Sequence, residues 1–223
     1  MKDKNIFIAV EGPIGAGKTT LANLLNEHFG YTLLREIVEE NPFLAKFYTN
    51  INEYALQTEA FFLFNRVKQL EDIQKNVLSK SGGVVSDYHI VKNLIFAGLT
   101  LDNNQFHRYK QVYNIFVNDL PQPDIVIYLN SDTDTLMSRI AHRDRNFERQ
   151  MDRNYIDSLR NEYKYYFNPL SIKHNFIGKE PIIIEIDNSN LDFLNNMSDR
   201  QFVIDKVEEA MLSLRRKYTM FRL

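Results

Sequence analysis

The chain contains no cysteine among its 223 residues. Disulfides, thiolate metal sites and a cysteine nucleophile are therefore excluded. Its five histidines are scattered and never form an H-E-x-x-H pair, so a protein-built transition-metal site is not expected. No apolar run approaches the roughly 20 residues needed to cross a bilayer. The first apolar run, Ile6–Val10, is too short for the core of a signal peptide. No membrane association is expected, and the cytoplasm is the expected compartment. Charge of one sign is not in excess either. Lys and Arg number 27 against 29 Asp and Glu, a net charge of −2, so the global basic footprint of a nucleic-acid binder is missing. Internal repeats, low-complexity tracts and linkers rich in Gly, Pro or Ser are also lacking, and one domain over 1–223 is expected.

What is present is an ordinary globular composition, 44% hydrophobic and 25% charged, which excludes disorder. Ile6–Val10 is nearly all apolar, as a strand buried on both faces of a parallel sheet must be. Runs 31–35, 84–86, 125–129 and 182–186 read the same way. Helical patterns fall near 18–28, 52–79, 89–118, 132–142, 152–167 and 200–216. Strands separated by helices predict an α/β fold, a parallel sheet flanked by helices on both faces.

Gly12, Pro13, Ile14, Gly15, Ala16, Gly17, Lys18 and Thr19 spell G-x-x-x-x-G-K-[ST] between an apolar strand and an amphipathic helix, the context this pattern requires. Glycines let the backbone wrap a phosphate with its N–H groups pointing inward, and the helix N-terminus adds its positive dipole end. Lys18 can reach the β- and γ-phosphates of ATP, and the Thr19 hydroxyl can ligate Mg²⁺; Thr20 follows in the same nucleotide-binding set. The Asn-Lys-x-Asp and Asp-x-x-Gly strings of a switch GTPase do not occur.

Three further clusters point to small-molecule phosphoryl transfer. Arg35-Glu36 ends the second strand, where ligands of an open α/β sheet gather, and a carboxylate there can accept a hydroxyl proton. Asp87, in Ser86-Asp87-Tyr88-His89, is placed to hold Mg²⁺ directly or through water; it is equally a favourable helix cap. Arg139, Arg143, Arg145, Glu148 and Arg149 form a charged helix end, which reads as an arginine-rich lid at about 143–151.

In these residues the chain resembles the deoxynucleoside kinase family over nearly its whole length, and within it the bacterial deoxyguanosine and deoxyadenosine kinase subgroup. The strings Glu11–Thr20, Glu36–Pro42, Asp87-Tyr88-His89 and Arg143-x-Arg145-x-x-Glu148 carry the likeness. The resemblance implies a P-loop kinase fold, with Mg²⁺ and ATP transferring a phosphoryl group to the 5′-hydroxyl of a purine deoxynucleoside in nucleotide salvage. It implies Glu36 as general base, Gln57 on the base edge, and Tyr48 and Glu148 on the sugar 3′-hydroxyl. Arg143 and Arg145 would lie over the phosphates, with Arg139 and the loop from Asp187 near the donor adenine. It also implies a homodimer through the long helices. The partners expected are small molecules alone, with no nucleic acid. The chain departs from the family pattern at Tyr88, where many members have Arg, and at Asn93, where many have Asp, both still expected with Asp87 among the substrate ligands, and at Phe64, where an Arg is expected seven residues after the helical Gln. Arg66 lies half a helical turn round from Gln57 and is expected to point away from it. Charge from the lid or Arg35 is expected to replace the missing Arg. Two other readings are a nucleoside monophosphate kinase of the thymidylate type, which Arg35 keeps open, and a non-catalytic nucleotide-binding module.

Overall fold

Glu11 closes the first strand with its side chain wholly buried, its carboxylate accepting from Gly12 N at 2.7 Å and His89 N at 2.9 Å. That buried acid ties the start of the phosphate loop to the end of a neighbouring strand. In this computed structural model, which describes residues 6–149, 151–168 and 180–220, the strand is β1 (Phe7–Glu11) of a five-stranded parallel sheet. The others are β2 (Thr32–Leu34), β3 (Val84–Ser86), β4 (Ile125–Asn130) and β5 (Ile182–Asp187), in the order β2-β3-β1-β4-β5. The expected α/β sheet is thus found, with β1 at its centre.

Alternation along β1 explains why its first four residues are apolar. Ile8 and Val10 pack into one core with Leu21 and Leu25 of α1 (Lys18–Phe29) and Val203 and Val207 of α8 (Met197–Met220). On the opposite face Phe7 packs toward α3 (Ile51–Asn76) and α5 (Asn103–Val117), and Ala9 toward α4 (Lys92–Thr100) and α7 (Arg153–Tyr166). A strand covered on both faces has no solvent side to make polar. The remaining helices are the short α2 (Leu44–Phe47) and α6 (Thr133–Arg143).

The stretch 89–118, expected as one helix, is two. Leu101 is extended, and Asp102 caps α5 in a capping box with Gln105, so the chain turns there. The helix expected over 52–79 ends as α3 at Asn76, followed by a 3₁₀ turn at Leu78–Lys80. Among the described residues no helix is long and apolar enough to cross a membrane. Gln150, inside the expected lid, lies outside the described residues, as do both ends of the expected domain.

Candidate active site

The carboxyl ends of β1, β2 and β3 open into a cavity of ≈ 940 Å³, at the upper end for a small-molecule pocket and roomy enough for two ligands. Gly15, Lys18, Glu36, Asp87, Arg143 and Glu148 all line it. The phosphate loop needs its glycines. Gly15 has φ +85°, and a Cβ there would stand 2.7 Å from Leu136 O. The Lys18 ammonium donates to Gly12 O at 2.7 Å and Pro13 O at 2.9 Å, folded back onto the loop. Burial, and next the nearby Lys92, bring the Lys18 pKa down to about 8.

Asp87 joins three elements. One carboxylate oxygen accepts from the Thr19 hydroxyl at 2.8 Å, and the other accepts from Glu36 N at 2.7 Å. The two residues expected to hold Mg²⁺ are therefore neighbours, and Asp87 also positions the expected base. Glu36 sits between two buried cations. Its Oε1 accepts from Arg66, and its Oε2 from Lys92 Nζ at 2.8 Å. Burial alone would raise the Glu36 pKa, but Lys92 and Arg66 outweigh it and bring it down to about 2.

The lid lies across the cavity from Glu36. Arg143 forms a bidentate pair with Glu148, Nε to Oε2 at 3.1 Å and Nη2 to Oε1 at 2.6 Å, and Arg145 lies 3.7 Å from the same carboxylate. Tyr48 stacks on Phe147 with centroids 6.0 Å apart, next to Glu148, so the two expected sugar ligands lie together. Burial, and then the Glu148 charge, push the Tyr48 hydroxyl well above its usual value. At the donor end Arg139 donates to Asn188 O at 2.8 Å and Leu191 O at 3.2 Å, and Asn188 reaches back to Ala16 O at 2.7 Å. Arg139 thus fastens the loop after β5 against the phosphate loop.

Four expected ligands are placed elsewhere. Gln57 is exposed on the solvent side of α3 and does not line the cavity. Two residues further along, a rotation of roughly 200° on a helix, Glu59 faces inward. Glu59, Phe62 and Arg66 share the cavity-lining face at positions i, i+3 and i+7. Arg66 does lie opposite Gln57, as expected; it is Gln57 that points out. The expected seven-residue spacing is therefore met by Glu59 and Arg66. Tyr88 is buried, with its hydroxyl donating to Gln69 Oε1 at 3.0 Å, and does not reach the cavity. Asn93 is wholly buried and donates to the Tyr109 hydroxyl at 2.8 Å. Asp187 points to solvent because strand alternation turns Ile186 inward; Asn188 lines the cavity in its place. Arg35, expected to supply charge, does line the cavity, but it is exposed and donates to Asn23 Oδ1 at 2.8 Å.

Glu59, Arg66 and Lys92 were missed. Glu59 is 2% exposed, and its carboxylate accepts from the Thr100 hydroxyl at 3.3 Å. Burial raises its pKa to about 7, with Arg66 partly opposing. The signal for Glu59 and Arg66 was polar residues at helical spacing within an apolar face. For Lys92 it was a cation at a helix N-terminus, where the dipole disfavours it unless an anion is at hand.

A profile described as deoxynucleoside kinase matches residues 8–212. The chain is 42% identical over 206 residues to a deoxyguanosine kinase of Bacillus subtilis strain 168, covering 92% of this chain and 98% of the relative. It is 29% identical over 215 residues to a deoxyadenosine kinase of Lactobacillus acidophilus, covering 92% and 95%. Among solved structures, a deoxyadenosine kinase from M. mycoides with the products dCMP and dCDP bound matches with a TM-score of 0.77 and 27% identity, covering 92% of this chain and all of that one, 100%.

Proposed function

The chain belongs to the deoxynucleoside kinase family, and on that premise we propose that it transfers the γ-phosphoryl group of ATP to the 5′-hydroxyl of deoxyguanosine in preference to other acceptors. The observation that carries the base preference is Glu59, a buried carboxylate at the acceptor side of the cavity. Guanine presents two adjacent donors on its Watson–Crick edge, N1–H and N2–H, and an ionised carboxylate accepts both. Adenine presents one donor and one acceptor, and sets its N1 lone pair against the carboxylate. A buried polar group left unpaired is costly, which turns this mismatch into selectivity.

Glu36 is the proposed general base and Glu148 with Tyr48 the proposed sugar ligands. On substrate binding Lys18 exchanges its loop carbonyls for phosphate oxygens. Arg143 and Arg145 stand ready to share their charge between Glu148 and the phosphates. With a pKa of about 2, Glu36 is fully ionised but a weak base, so it takes the proton late, as the new P–O bond forms. That suits a loose phosphoryl-transfer transition state, which asks little of a base.

The Thr19 hydroxyl and Asp87 carboxylate, 2.8 Å apart at the mouth of the loop, are hard oxygen donors that fit Mg²⁺. Among the described residues no group of three or more acidic or histidine side chains could hold a metal. That too fits an ion carried mainly by phosphate oxygens and water. Bound there, Mg²⁺ neutralises phosphate charge. A thymidylate-type reaction is disfavoured, because an acceptor phosphate would lie against the ionised Glu36 carboxylate. We further propose a cytoplasmic salvage role for a homodimer.

An acceptor screen tests the function. Four deoxynucleosides and four deoxynucleoside monophosphates are offered with Mg-ATP. Turnover with deoxyguanosine, exceeding that with deoxyadenosine, is expected. Turnover only with monophosphates contradicts the assignment.

A further inference from the structure

Tyr88 stands where many of the resembling kinases carry Arg, and it cannot do that residue's work. It is 1% exposed and turned toward Gln69. Four residues on, Lys92 opens α4. It is 6% exposed, lines the cavity, and lies 5.3 Å over the Phe96 ring. Burying an ammonium at a helix N-terminus is doubly unfavourable without a strong anionic partner. Glu36 is such a partner, but Arg66 already neutralises it, with Nε and Nη2 both on Oε1 and the guanidinium 4.8 Å over the Phe62 ring. The second carboxylate near these two cations, Glu59, makes no ion pair with either among the described residues, so Glu36 alone holds both. Lys92 uses one N–H on Glu36 and has two left. It also faces Lys18 closely enough to be the second cause, after burial, of the lowered Lys18 pKa. Both ammoniums therefore border the space in which the γ-phosphate must meet the acceptor.

We propose that Lys92 is a catalytic residue, its ammonium bridging Glu36 and the phosphoryl group in transfer and supplying the charge that Tyr88 cannot. In the step it assists, the 5′-oxygen bonds to the γ-phosphorus while the bond from that phosphorus to the β–γ bridging oxygen breaks. The electron pair of the broken bond leaves with ADP. The hydroxyl proton passes to Glu36 and then to solvent. Lys92 keeps its proton throughout and stabilises the equatorial oxygens. The inference rests on the proposed placement of Glu36 at the acceptor 5′-hydroxyl.

The test compares wild type, Lys92→Met, Lys92→Arg and the relocated charge Tyr88→Arg/Lys92→Met, with Glu36→Gln alongside. Lys92→Met should lower kcat by about 10²–10³-fold while both KM values stay within about threefold. Binding of ADP with aluminium fluoride and deoxyguanosine, a mimic of the transferring group, should weaken in parallel, while ADP alone binds as before. Lys92→Arg and the relocated charge should each recover about tenfold or more over Lys92→Met. A folded Lys92→Met with near wild-type kcat overturns the proposal. So does a kcat loss with the aluminium fluoride complex unaffected, since Lys92 would then only position Glu36, and so does a loss confined to KM, since Lys92 would then only bind substrate. If Lys92→Met does not fold, Lys92→Gln carries the same comparison. If Glu36→Gln is silent while Lys92→Met is not, Glu36 is not the base and the bridge through it is overturned, leaving only the charge of Lys92 on the phosphoryl group. The reverse pattern removes Lys92 alone.

Discussion

Glu59 holds its carboxyl in surroundings that penalise its charge, and this sets a measurable pH dependence. Burial raises its pKa to about 7. Above that pH the group is ionised and accepts two bonds, matching guanine. Below it the protonated acid donates one and accepts one, matching adenine. The kcat/KM ratio of deoxyguanosine to deoxyadenosine should therefore rise between about pH 6 and about pH 8. Steady-state assays across that range check it, and a flat or falling ratio contradicts the role given to Glu59. At this scale the sequence was legible where a motif locks each residue in place. Lys18, Thr19, Glu36, Asp87, Arg143 and Glu148 all line one cavity as their patterns implied. It was not legible on α3, because assigning a ligand there requires the rotation of the helix. Gln57 and Glu59 are two residues apart and face opposite media.

The phosphate loop works as an element whose backbone shape comes before its side chains. At Gly15 an alanine would combine a left-handed φ of +85° with a Cβ 2.7 Å from Leu136 O, so α6 as well as the loop must shift. Gly15→Ala should cost about 1–3 kcal/mol in stability and weaken ATP binding at least as much as acceptor binding. Thermal unfolding and nucleotide titration check this; unchanged ATP affinity would show that the loop tolerates the side chain. The strands were readable because burial on both faces makes their central runs apolar, as at Phe7–Val10 and Ile125–Leu129. The break between α4 and α5 was hidden in a continuous helical pattern. It comes from Asp102, whose cap is stronger than the periodicity running through it. The lid was visible as a charge run, but its pairing was not. Nothing local says that Arg143 grips Glu148 five residues on while Arg149 turns to Asp144.

Over the whole molecule, α3 and α5 leave Leu56, Phe64, Val112, Ile115 and Phe116 exposed. Apolar residues exposed together on adjacent helices support the proposed pairing with a second copy. Ile115, 73% exposed, can be charged without disturbing the core, so Ile115→Glu should convert a dimer to a folded monomer by light scattering. A wild type that is already monomeric contradicts the pairing. The position of every proposed substrate group follows from one arrangement: β1 central, the phosphate loop at its end, and α3 bringing Glu59 and Arg66 to the acceptor side. In the proposed reading this arrangement phosphorylates deoxyguanosine because a buried carboxylate reads the base. Its most direct test is kcat/KM for deoxyguanosine and deoxyadenosine in wild type and Glu59→Gln at about pH 8, where the acid is ionised. Gln keeps the size but replaces one acceptor with a donor, matching adenine. The deoxyguanosine preference of wild type should fall by about 10–100-fold, with deoxyadenosine gaining in absolute terms. An unchanged ratio in a folded, active Glu59→Gln enzyme contradicts it.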